Sequence, residues 1–171
     1  PISVLLFTLK QGERSALLRQ LGLRSYPVLA TNGDFWQAYE PDTASADSIL
    51  RTNLKVDLAL ATGAAVISEQ GAPLSLEASL ELANAIALQL LRDGVPGLTQ
   101  PKSLEAMLSR VAATSRLERD YSAAKLQKVA RVLSTLNKLL SDTQVDPVGQ
   151  DAEAIAGAVG TVVGVRLARG W

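Results

Sequence analysis

The chain begins with a proline. Its secondary amine could act as a base, which makes Pro1 the first residue to weigh for chemistry. The rest of the proton-transfer inventory is narrow. The chain has no histidine, the commonest general base and transition-metal ligand, and no cysteine. A conventional serine or cysteine triad is therefore excluded, as are disulfides and thiolate metal sites. Two carboxylate pairs stand close in sequence, Asp42 with Asp47 and Glu77 with Glu81. The second has the i,i+4 spacing of a solvated helix face. No lysine-bearing phosphate loop is present, and Gly12 stands alone after the first apolar run, where a dinucleotide fold needs three glycines. The expectation is a protein that is not an enzyme and that carries no cofactor and no metal.

Pro1 followed by the apolar run "ISVLLFTL" resembles the opening of the tautomerase superfamily, in which such a proline begins a β-strand and serves as the base. The resemblance covers those residues alone. It implies an arginine that holds a substrate carboxylate, for which Arg14, Arg19 and Arg24 are equal candidates. The pattern then departs, because the family follows its strand with a long amphipathic helix and a parallel strand. Here a short helix and a hairpin pattern come next. Removal of an initiator methionine before a small residue accounts for Pro1 without any chemistry.

Two other groupings point to recognition rather than reaction. Leu126, Val129, Leu133, Leu136 and Leu140 recur in steps of three and four, a two-heptad seam widened by Val132 and Leu139. Such a seam either packs into its own domain or forms an oligomer interface. The second basis is charge. The chain is neutral overall, yet residues 101–140 hold eight basic and three acidic side chains, a net of plus five. Lys125, Lys128, Arg131 and Lys138 fall in this region, and their spacing sets Lys128, Arg131 and Lys138 opposite the seam. That face would meet RNA or DNA through the phosphate backbone, since no aromatic residue is interleaved to stack bases. A solvated face is the plainer alternative. "DFWQAYEPD" gathers Trp36, Tyr39, Glu40 and Asp42 beside a turn, an arrangement that fits rings capping a sheet.

The elements that must position these residues read as α+β. Ile2–Leu9 is apolar almost throughout and predicts a strand buried on both faces. A short helix follows Gly12. "YPVLAT" and "DFWQAY" flank Asn32-Gly33, the signature of a type I′ hairpin. A small mixed sheet with a β-α-β-β start is thus expected, packed against a helical C-terminal half. Helices are predicted over 42–54, 75–94, 103–115 and 117–140. Residues 56–68 fit either a buried helix or a strand, with Gly63 weighing against a long helix. Pro147 and Gly149 mark residues 141–152 as a linker. The last residues are apolar and glycine-punctuated, so one domain over 1–140 and an arm over 141–171 are expected. The longest uncharged apolar run spans about 12 residues, against the ~20 that cross a bilayer. No leader pattern is visible, and the chain reads as soluble and cytoplasmic, or virion-borne if it belongs to a particle.

Seam, arm and sparse catalytic inventory together predict a self-associating structural or assembly protein, a component or assembly cofactor of a larger particle such as a viral or phage capsid. Its expected partners are itself and other proteins of that assembly. The alternative is a nucleic-acid-binding accessory protein acting through the basic face of the 117–140 helix.

Overall fold

The computed structural model describes residues 2–21, 43–67, 74–114 and 122–142. Among them every regular element is an α-helix: α1 (Ile2–Phe7), α2 (Gln11–Gln20), α3 (Thr43–Ile67), α4 (Leu76–Gly97), α5 (Pro101–Thr114) and α6 (Ala123–Leu139). The expected α+β architecture is overturned, since the described residues contain no strand. The hairpin predicted around Asn32-Gly33, the cluster Trp36, Tyr39, Glu40 and Asp42, Pro1, and the arm beyond Asp142 all lie outside the described residues.

The correction is sharpest at the N-terminus. Ile2, Leu5, Leu6 and Leu9 are buried, whereas Val4 and Phe7 are exposed. Steps of three, one and three make a helical stripe, which the almost continuous apolar run conceals. The first turn of α1 is tied to α3 by the Ile2 amide, which donates to Asn53 Oδ1 at 3.2 Å. Residues 56–68, left open between helix and strand, form the C-terminal half of α3, a single helix of 25 residues. Gly63 does not break it. A Cβ at that position would stand 2.5 Å from Leu82 Cδ1, so the glycine allows α3 to approach α4 closely.

α4 is the central element, packing against α1, α2, α3 and α5. Ser75 caps its start, accepting the Ala78 amide at 3.2 Å. Leu82, Ala83, Ile86, Ala87 and Leu90 are buried along it. Leu76, placed on the same stripe from sequence, is exposed. α6 covers α5 and touches α3. Two buried polar side chains on α6 reach the connector before α5. Ser134 Oγ donates to Thr99 O at 2.6 Å, and Asn137 Nδ2 donates to Leu98 O at 2.6 Å. These bonds satisfy carbonyls that the bend would otherwise strand.

The bend itself is built by Gly94, Gly97 and Asp93. The Asp93 carboxylate accepts hydrogen bonds from Ser103 Oγ on α5 and from Gln89 Nε2, the latter at 2.6 Å. The Ser103 hydroxyl, with help from Gln89 and the charges of Arg92 and Arg110, holds this carboxyl below the usual aspartate range against the opposing effect of desolvation. Gly94 has φ +67 and ψ −164, a region open essentially to glycine. A Cβ there would also lie 2.8 Å from Gln20 Oε1 on α2. Gly94→Ala is expected to destabilise the chain by about 1–3 kcal/mol, mostly through backbone strain. Adding Gln20→Ala frees the contact but leaves the strain, so the thermal midpoint of the double variant stays low. Recovery by the second substitution would assign the loss to the contact instead.

Candidate functional site

The leucine seam predicted as an oligomer interface lies on α6 against the chain's own core. Leu126, Leu133 and Leu140 are buried, and Val129 and Leu136 pack partly buried against the same core. α5 and α3 supply the surfaces they meet. The basic residues lie on the other side of α6. Lys128, Arg131 and Lys138 are exposed and Lys125 is half-buried. No acidic residue occurs within α6, so every charge on its outer face is positive.

A second pair of cations lies inside, on α3. Arg51 and Lys55 are one turn apart and retain 8% and 7% of their exposure. Arg51 Nη1 donates to Leu140 O at 3.2 Å and Asp142 O at 2.8 Å, capping the C-terminus of α6. Burial pushes the Lys55 ammonium below the usual lysine range, and the Arg51 charge adds to the effect. In sequence these two residues resemble any exposed i,i+4 pair. Their one signal is that they continue, through Leu58 and Thr62, a stripe that is apolar further along.

The buried lysine predicts a specific pH dependence. Its folded pKa lies below its unfolded value, so between the two the unfolded chain binds more protons. Stability is therefore penalised below the folded pKa and recovers as pH rises through it towards the unfolded value. Lys55→Met removes the penalty and is expected to stabilise the chain by roughly 1–2 kcal/mol at neutral pH. Chemical denaturation of both proteins across alkaline pH should show the difference shrinking as pH rises. A constant difference would assign the gain to packing.

The surface that sequence reasoning missed lies between α1 and α4. Phe7, Thr8, Leu80, Glu81 and Asn84 line an open groove of 280 Å³. Phe7 is 71% exposed at its edge, and Val4, three residues earlier, continues the apolar face along α1. On α4, Leu76 is 77% exposed one turn before Leu80, and Leu88 is also exposed one turn beyond Asn84. The signal was available in the sequence as apolar positions 4 and 7, which fall off the helical stripe of positions 2, 5, 6 and 9. Reading the run as a doubly buried strand hid it.

Glu81, one of the candidate carboxylates, forms part of the groove wall, and Glu77 is exposed one turn before it on α4. Among the described residues no cluster of acidic side chains is placed to hold a metal ion. No described helix is long and apolar enough to cross a membrane. Comparison with protein-family models, curated proteins and solved structures finds no match to this chain.

Proposed function

We propose that this chain is a non-enzymatic, self-associating protein whose contact surface is the apolar face of α1 and α4. The observation that carries this reading is Phe7, a large aromatic ring 71% exposed beside a groove that Leu80 helps to line. Soluble monomers expose apolar side chains singly, whereas contiguous patches mark contacts with other molecules. Val4, Phe7, Leu76, Leu80 and Leu88 extend this surface over two helices. The absence of histidine and cysteine supports a binding role over a catalytic one.

Light scattering tests the proposal. The wild type is expected at a multiple of its 18.1 kDa chain mass, and Phe7→Glu at the single-chain mass with unchanged helicity. An exposed ring can be replaced without opening the core, so loss of association is not confounded by unfolding. A wild type that stays at single-chain mass at the highest attainable concentration overturns the reading.

A second reading, nucleic-acid binding, is favoured by the exposed stripe Lys128, Arg131 and Lys138 on a helix without acidic residues. Three neutralised phosphates would give a log–log salt slope of about −2.7 on duplex DNA. Replacing all three with glutamine should abolish that slope. Wild-type protein that shows no salt-sensitive binding removes this reading.

A further inference from the structure

We infer that the groove between α1 and α4 receives residues 154–171 of a second copy of this chain. The inference rests on the self-association reading and names the part of the partner that makes the contact.

The chemistry of groove and segment is complementary. The groove is apolar at Phe7 and Leu80 and carries a carboxylate, Glu81, with exposed Glu77 one turn earlier on α4. Residues 154–171 contain no acidic side chain, and they place Arg166 and Arg169 among Val163, Val165, Leu167 and Trp171. An apolar segment with two cations is what a groove of this kind would hold. The leucine seam of α6 cannot fill the role, because it already meets α5 and α3.

Reach also fits. Arg51 holds the end of α6 against α3 through the carbonyls of Leu140 and Asp142. Two residues further along α3, Asn53 holds the first amide of α1. The 29 residues after Asp142 span up to roughly 100 Å when extended. α1 itself is about 9 Å long. A neighbouring copy is therefore within range. Phe7 is 71% exposed, so the groove is open to an occupant, and the self-association reading makes that occupant a second copy. Exchange of an identical segment between copies is a low-cost route to closed dimers.

The absence of cysteine allows a direct trap. One pool carries Asn84→Cys in the groove and another carries Leu167→Cys in the segment. Mixed and oxidised, the pools are expected to yield a covalent dimer that neither pool forms alone. Charge exchange gives a second reading in the full chain. Glu81→Arg, or Arg166→Glu with Arg169→Glu, should weaken self-association about tenfold. Combining them should restore it. Three results overturn the inference. If the wild type is oligomeric but the mixed pools do not cross-link and the charge exchange does not rescue, self-association stands and the segment is not its occupant. If the doubly substituted chain, Asn84→Cys with Leu167→Cys, closes within itself and remains at single-chain mass, the groove is filled by its own segment. If the wild type is itself monomeric, the self-association reading and this inference fail together.

Discussion

Ile86→Ala is expected to lower stability by about 3–5 kcal/mol. Ile86 has no exposed surface and sits on α4, the helix that α1, α2, α3 and α5 all pack against. Truncating it removes apolar burial and leaves a cavity, and the second part depends on how far the surroundings collapse. A helix held by four neighbours has little freedom to shift. Gly63 already draws α3 as close to α4 as Leu82 permits. The loss therefore belongs at the upper end for such truncations, and the thermal midpoint should fall by roughly 6–20 °C for a chain of this size. Ile86→Val is the control, with a loss of about 1 kcal/mol. If alanine costs no more than valine, the site closes over the missing atoms and α4 is not the rigid centre described here.

The same helix couples the core to the candidate surface. Ala83, Ile86, Ala87 and Leu90 face inward, while Leu80, Glu81 and Asn84 line the groove. The groove is thus built on a rigid helix, with the shorter α1 as its second wall. α1 is pinned by the Ile2 amide and by the burial of Leu5 and Leu6, so Phe7 stands out from a fixed base. An anchor held in this way costs little ordering entropy when it meets a partner.

Parts of this arrangement were legible in the sequence because period and chemistry agreed there. The stripe through Ala83, Ala87 and Leu90 has helical spacing, and Ser75 marks its start as a cap. The leucines of α6 likewise declared both their helix and the face that would be buried. Which molecule buries them is a tertiary fact, set by α5 lying beside α6, and spacing cannot encode it. Ile2–Leu9 failed for a different reason. In a short run that is apolar almost throughout, with Ser3 and Thr8 its only polar residues, periodicity alone does not separate a strand buried on two faces from a helix exposed on one. Gly63 misled by its propensity, since its cost of roughly 1 kcal/mol in a helix is outweighed by the close approach it permits. Arg51 and Lys55 were scarcely legible, because charge in a sequence reads as surface and their one signal was the stripe they continue through Leu58 and Thr62.

Arg51 carries the second large effect. The last carbonyls of a helix have no partners within it and together present a partial negative charge. At the end of α6 the Arg51 guanidinium meets that charge, donating to Leu140 O and Asp142 O from a site with 8% exposure. Arg51→Ala removes the donor, strands a buried carbonyl and empties the volume of the side chain, and is expected to cost about 2–4 kcal/mol. Arg51→Met refills much of the volume without the hydrogen bonds, so the difference between the two variants separates packing from polar satisfaction. Lys55 supplies a further test that packing alone would not pass. The Arg51 charge helps to depress the Lys55 pKa, so removing it makes the buried ammonium easier to keep. Lys55→Met should then stabilise the Arg51→Met background less than it stabilises the wild type, a non-additivity that urea denaturation of the four proteins would measure. Strict additivity would mean that the two cations do not sense each other.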